Sequence, residues 1–392
     1  FAALRRRQGR LRGLRGDAEG KLAMYEEARK ICELANALET TEGTVLLSSI
    51  GAAKRQAGDM DAALEAYEEA LRIHEKLETL ESPEGATLLS NIGVARLRQR
   101  KKKGAKQAFE RALSIREKTG TLETSAGATL LSNIADVQEL FGDVEGELRL
   151  YLQARDIREK IGTLDTAAGA VILSHIGGIH AKRGESSEAL VWYARAREAR
   201  EKSESLETEA GAKLLAKTAD LIALEAPGAA GVMLEEAWAV RARTGTLHSE
   251  LGLKLLSSLC TLRADQADYD AADQVWEAAK GVVESMGDSL NMPGVRLLEL
   301  RGDLRKGRGD CQGAFEAWTE AAQLRASLGK VTGAPAADLF IRLAAVCEEL
   351  GDVALSADYQ EQALQARNKQ GKTTKSKNKQ SPTPDASPAS ET

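Results

Sequence analysis

The chain repeats itself every 42 residues, and a chain that does so is built from copies of one small unit stacked in line, not around one central core. Leu38, Leu80, Leu122, Leu164 and Leu206 stand at one phase, each followed by an acidic residue. Gly43, Gly85, Gly127, Gly169 and Gly211 keep the same step, and Gly252 and Gly294 continue it after a one-residue deletion.

Each unit opens on an aliphatic doublet, Leu46-Leu47 in one and Leu88-Leu89 in the next, with Ile50 or Ile92 three residues on. That spacing is one face of a helix and not the alternation of a strand. A stop and restart follows at Gly58-Asp59, Gly142-Asp143, Gly184-Glu185, Gly309-Asp310 and Gly351-Asp352. There the glycine suits a left-handed helix end and the acid a cap on the next helix. The second helix carries a large residue at Tyr67, Phe109, Tyr151, Tyr193, Trp276 and Trp318, and an alanine three residues later. Bulk against a shallow partner is what nesting of successive hairpins requires. The sixth unit breaks the rule, with Glu235 in the ring phase and Trp238 in the alanine phase. Thr40, Ser82, Thr124, Thr166, Thr208, Ser249 and Asn291 share one phase as N-caps of the following helix, with Pro83 and Pro293 just inside it.

Composition agrees with helices and excludes several functions. Aromatic residues are 4% of the 392, and Lys+Arg 54 against Asp+Glu 59 are interleaved, as on solvated helix faces. Neither the charge nor the aromatic content suits a DNA-binding platform. Cys32, Cys260, Cys311 and Cys347 are far apart, with no zinc or disulfide pattern. No apolar run is long enough to insert in a membrane. The chain opens on Phe1, which reads as the edge of a fragment. The basic stretch Arg5 to Arg15 fits a truncated first repeat better than a transit peptide, because Gly9, Gly16-Asp17, Tyr25 and Ala28 match Gly51, Gly58-Asp59, Tyr67 and Ala70.

The sequence Leu47, Ile50-Gly51, Gly58-Asp59, Ala63, Tyr67, Ala70-Leu71 resembles the tetratricopeptide repeat. The 42-residue period and the phrases Ile115-Arg116-Glu117-Lys118 and Ile157-Arg158-Glu159-Lys160 are similar to kinesin light chains and nephrocystin-3-like proteins. The resemblance implies an all-α, α-α superhelix, a solenoid of about nine helical hairpins over residues 1–367, whose first helices line a groove for peptide segments of partner proteins. The groove positions it implies are Ser48, Ser90, Ser132 and Ser174 in one row and Asn91, Asn133 and His175 in the next, with Arg98 and Lys182 further along. In the kinesin-like pattern the second row is rich in asparagine and can bond a peptide backbone. The lysine and asparagine set that clamps a terminal carboxylate in some relatives is missing.

Arg96, Arg98, Arg100, Lys101, Lys102 and Lys103 form a basic cluster whose plain reading is a solvated helix end and whose functional reading is contact with an acidic partner. No nucleotide, nucleophile or metal motif occurs, so neither catalysis nor a cofactor is expected. Residues 368–392 are expected to be a disordered tail, with Ser381-Pro382, Thr383-Pro384 and Ser387-Pro388 as kinase-site candidates. The expected role is a non-catalytic, cytoplasmic scaffold or adaptor for proteins or peptides, of open oligomeric state, with a kinesin-light-chain-like cargo adaptor as its sharper form. The alternative is a regulatory module of a larger protein.

Overall fold

The computed structural model of the chain describes residues 1–287 and 291–377, with side chains through Arg367. The described residues are all-α, with eighteen helices and no strand. They form two compact units that divide between Ser205 and Leu206. The first holds α1 (Ala2–Leu14), α2 (Ala18–Leu34), α3 (Thr41–Gln56), α4 (Met60–Lys76), α5 (Pro83–Arg98), α6 (Lys102–Lys118), α7 (Ser125–Phe141), α8 (Val144–Lys160), α9 (Ala167–Lys182) and α10 (Ser186–Lys202). The second holds α11 (Glu209–Ile222), α12 (Pro227–Arg243), α13 (Glu250–Asp265), α14 (Tyr269–Ser285), α15 (Met292–Gly307), α16 (Cys311–Ser327), α17 (Ala334–Glu349) and α18 (Val353–Lys377). Odd and even helices pair as hairpins, α3 with α4 and α5 with α6, and within each unit the even helix then packs on the odd helix of the next hairpin.

Inside a hairpin the two helices meet where a ring stands on a glycine. A methyl group added at Gly51 would lie 2.5 Å from the Tyr67 ring, at Gly93 2.5 Å from Phe109, and at Gly302 2.2 Å from Trp318. No side chain fits in that gap, so the close approach depends on glycine. Ala135 holds the same register in α7 and Cys260 in α13. Between hairpins the alanines do the corresponding work. Ala70, Ala112, Ala154, Ala196, Ala279 and Ala321 are fully buried. Tyr67 and Ala70 share a core with Leu88 and Ile92 of the next hairpin, and Phe109 and Ala112 with Leu130 and Ile134.

The connectors explain the other glycine row. Thr40, Ser82, Thr124, Thr166, Thr208 and Ser249 each accept a hydrogen bond from the backbone N–H of the glycine three residues on. Those glycines press against the preceding leucine carbonyl so closely that a methyl at Gly43 would sit 1.9 Å from the Leu38 oxygen. At the turn inside each hairpin Gly58, Gly142, Gly184, Gly309 and Gly351 are left-handed as expected, and Arg100 takes that conformation in the third unit with φ 61°. Asp59, Asp143, Asp310 and Asp352 cap the next helix. Glu185 and Asn291 make no such cap bond.

The sixth unit corrects the sequence reading. The lost residue falls in the short α11–α12 connection, so α12 slides by one position and Leu234 and Ala237, 2% and 0% exposed, take the ring and alanine places. Glu235 is exposed and pairs with Arg263, and Trp238 is half-buried. The backbone of α18 is helical past Arg367, into the segment expected to be disordered, up to Lys377. The rest of the 368–392 tail, with its three Ser-Pro and Thr-Pro pairs, lies outside the described residues.

Two substitutions test this packing by urea denaturation. Leu234→Ala is expected to lower the unfolding free energy by about 2–5 kcal/mol, whereas Glu235→Ala, on the solvent side, changes it by no more than about 0.5 kcal/mol. Ala112→Leu is expected to cost about 1–3 kcal/mol through overpacking.

Candidate functional site

With rings on one flank and alanines on the other, one strip of each odd helix is left for contact with something else. The expected rows fall on that strip: Ser48, Ser90, Asn91, Ser132, Asn133, Ser174 and His175 are half-buried, and Arg98 and Lys182 are exposed. Ser48 and Asn91 come together across two helices. They line one cleft of about 300 Å³ between α3 and α5, walled by Val45, Thr87 and Leu88, with His74 and Arg116 reaching it from the even helices.

Further along, the row is partly consumed by contacts between hairpins. Tyr151 donates its hydroxyl proton to Asp136, and its oxygen lies 2.8 Å from Nδ1 of His175, whose ring stacks on it at 4.9 Å. With the phenol proton committed to Asp136, His175 is the donor of the second bond. Lys182 is paired with Glu139. In the second unit Arg342, at the register of His175, donates to Asp303 at 2.7 Å in the same manner. Burial pushes the Asp303 carboxyl up, and Arg342 partly restores it.

Asn91 and Asn133 differ. The helix position that supplies Asp136 ahead of His175 is filled by Ala52 ahead of Asn91 and by Val94 ahead of Asn133. Neither amide has a hydrogen-bond partner among the described residues. Half-buried amides with nothing to bond are available to a guest. Ser132 is less so, since its hydroxyl turns back to the Ala128 carbonyl at 2.9 Å.

The structure adds a column that the sequence reading passed over. Arg116, Arg158, Arg200, Arg241 and Arg325 hold one register of the even helices and are buried, from 2% to 6% exposed, with His74 in the same place in α4. Their partners are mostly neutral oxygens. Arg116 donates to the Thr121 carbonyl and to the Thr87 hydroxyl, Arg158 to the Thr129 hydroxyl, Arg200 to the Ser205 carbonyl and Arg241 to the Thr246 carbonyl. Burial lowers the pKa of these four arginines, which nonetheless remain cations because guanidinium starts so high. Burial likewise lowers His74, which stands neutral at pH 7. The signal was present: Arg116, Arg158 and Arg200 recur at the repeat period, the first two inside phrases that had served only for resemblance.

Around Tyr151 the buried Glu147 carboxyl is pushed up, first by burial and then by Glu139. In the expected basic cluster Arg96 pairs with Glu68 at 3.5 Å, and Arg98 through Lys103 are exposed apart from the half-buried Gln99. Lys101 precedes α6 without a cap bond. The four cysteines are free thiols, and burial pushes Cys260 up to about 12. Among the described residues no helix is long and apolar enough to cross a membrane.

Residues 42–118 match the tetratricopeptide repeat family. The repeat frame accounts for that match, since this stretch holds the regular hairpins α3–α4 and α5–α6. Among solved structures, the apo form of RapI aligns over 95% of this chain and 98% of its own, at 17% identity and TM-score 0.63. A Rap protein complexed with Competence and Sporulation Factor covers the same shares at 16% identity and TM-score 0.54. The Rap conjugation gene regulator of the plasmid pLS20, in complex with the Phr* peptide, aligns over 71% of this chain and 72% of that one, at 17% identity and TM-score 0.50. At these identities the likeness is one of fold. No curated protein sequence matches the chain.

Glu147 supplies a pH test. A carboxyl raised on folding binds its proton more tightly in the native state, so its contribution to stability declines as pH rises from the ordinary 4.5 through the raised value. Glu147→Gln is therefore expected to raise the urea midpoint at pH 7 relative to the parent, with the gap closing toward pH 4.

Proposed function

We propose that this chain is a non-catalytic scaffold that receives an extended peptide segment of a partner protein along the strip of its odd helices in the first unit. The observation that carries the reading is the pair of half-buried amides, Asn91 and Asn133, at one register of neighbouring hairpins without partners of their own. An amide side chain both donates and accepts, so each can hold one peptide group of a guest backbone without regard to the guest's side chains. Beside Asn91 the α3/α5 cleft, with Val45 and Leu88 in its walls, has room for a side chain of that guest. One protein of this fold, the Rap conjugation gene regulator in complex with the Phr* peptide, holds a peptide by its own description, which supports the mode though not the ligand. A kinesin-light-chain-like cargo role is the sharper form of the proposal, supported by the 42-residue period and its Arg-Glu-Lys phrases. A cytoplasmic setting fits four free thiols.

The test is a pull-down from cell extract with the intact chain and with Asn91→Ala plus Asn133→Ala, followed by titration of the recovered partner segment. Two hydrogen bonds of about 1 kcal/mol each amount to roughly a thirtyfold loss of affinity. Unchanged affinity with unchanged circular dichroism would place the contact elsewhere.

A further inference from the structure

Two junctions of the first unit set a tyrosine at one register and surround it differently. At α7/α8/α9 the tyrosine is Tyr151, and the set closes on itself: Asp136 takes the phenol proton, His175 bonds the phenol oxygen, and Glu139 pairs with Lys182. At α3/α4/α5 the tyrosine is Tyr67 and the acids are gone. Ala52 stands in place of Asp136, Arg55 in place of Glu139, and the fully buried Ala63 in place of Glu147. The register of the Glu139–Lys182 ion pair therefore holds two cations, Arg55 and Arg98, and neither makes an ion pair among the described residues.

This exchange leaves donors without acceptors. Tyr67 is 0% exposed and its hydroxyl has no hydrogen-bond partner, and Nε of Arg55 is likewise shut from solvent and unbonded. Arg55 faces the phenol closely enough to oppose the upward push of burial on its pKa, whereas Asp136 and Glu139 add to that push at Tyr151. Buried donors with nothing to bond cost free energy, and packing does not require this one. Phe109 seats its ring on Gly93 as closely as Tyr67 does on Gly51, with an added methyl 2.5 Å away in both, so the hairpin forms without a hydroxyl. By register the Tyr67 hydroxyl points to the place that the Asp136 carboxylate fills two hairpins later. Asn91 stands there where His175 stands beside Tyr151.

We infer that a side-chain carboxylate of the guest takes the Asp136 place at the α3/α4/α5 junction, bonded by Tyr67 and Arg55 and flanked by Asn91. The inference rests on the reading that the odd-helix strip of the first unit receives a guest, and it fixes the guest's charge at one hairpin. Phenol and guanidinium both donate, and bonds from them to a carboxylate are of the strong, charge-assisted kind. Since both donor atoms are shut off in the free chain, entry requires the half-buried Arg55 side chain to turn outward onto the guest.

The probes are fluorescein-labelled, C-terminally amidated decapeptides that alternate alanine with glutamate or with glutamine, titrated by anisotropy against the intact chain at pH 7. The glutamate peptide is expected to bind about tenfold tighter or more, the worth of one charge-assisted hydrogen bond. Tyr67→Phe, a ring the neighbouring hairpin already uses, and Arg55→Met are each expected to shrink that ratio to about threefold or less. Ala52→Asp supplies the acid from within, so it is expected to erase the ratio and to raise the urea midpoint, a rise that vanishes when Tyr67→Phe is added. Lys118→Met removes one exposed charge on the same unit and is expected to leave the ratio unchanged. A ratio that survives Tyr67→Phe and Ala52→Asp, equal losses in Arg55→Met and Lys118→Met, or no binding of the glutamate peptide overturns the inference. So does an Ala52→Asp midpoint shift that is the same with and without the Tyr67 hydroxyl. A glutamine peptide with a free C-terminus that binds as tightly as the glutamate one overturns the side-chain assignment in favour of a chain end. Asn133→Ala, outside this junction, separates the two readings. If it weakens both amidated peptides alike while Tyr67→Phe and Ala52→Asp leave their ratio untouched, the strip holds a guest and the carboxylate place alone fails. If it is silent while Ala52→Asp erases the ratio, the carboxylate place stands and the strip reading fails.

Discussion

In the hairpins that carry glycine at this register, a ring standing on that glycine is the contact from which the rest of the hairpin follows. Tyr67 on Gly51, Phe109 on Gly93 and Trp318 on Gly302 bring paired helices closer than any other residue type at the odd-helix position would allow. Close pairing turns the even helix so that its alanine, one turn on, faces the next hairpin and admits that hairpin's leucines and isoleucines. The sixth unit shows how strong this demand is. With one residue lost from a connector, the whole of α12 changes phase, and the core accepts Leu234 in place of an aromatic ring sooner than leave the slot to Glu235.

Because packing claims two flanks of the odd helices that lie between two even helices of their own unit, the remaining strip recurs at a constant register, and its chemistry is free to vary. In the first unit it runs from the α3/α5 cleft through two unpartnered amides to the Tyr151, Asp136 and His175 junction, where the polar groups satisfy one another. In the second unit the same register holds lysines. Arg116, Arg200 and Arg241 of the buried column donate to connector carbonyls and Arg158 to the Thr129 hydroxyl of α7, whereas Arg325 is paired with the Glu299 carboxylate at 2.8 Å. A frame that is invariant in packing and variable in lining suits recognition of an extended chain, whose residues are met one hairpin at a time.

The hairpins, their turns and their caps were legible because each rests on a local signal that recurs: an aliphatic doublet, a left-handed glycine, an acid or hydroxyl at the helix start. The rows of Ser48 and Ser90 and of Asn91 and Asn133 were legible for the same reason, as registers once the period is known. What escaped depended on pairs of positions. That His175 is engaged while Asn91 is free follows from Asp136 against Ala52 in the preceding helix, a comparison between repeats that no single row displays. The sixth unit was misphased because counting by 42 does not say on which side of a helix a deletion falls. The buried arginines escaped because arginine on a charged helix reads as solvated, and only packing reveals that the connector covers it.

The central claim is that the ring-on-glycine contact holds a hairpin together and that its neighbours depend on that hairpin in turn, and native-state hydrogen exchange of the intact Gly93→Ala variant tests it most directly. A methyl there meets Phe109 at 2.5 Å. The account expects faster exchange in α5 and α6 and, more weakly, in α4 and α7, with α1 and α2 unchanged, as nearest-neighbour coupling requires. Exchange that quickens uniformly along the chain, or not at all in α5 and α6, would contradict it.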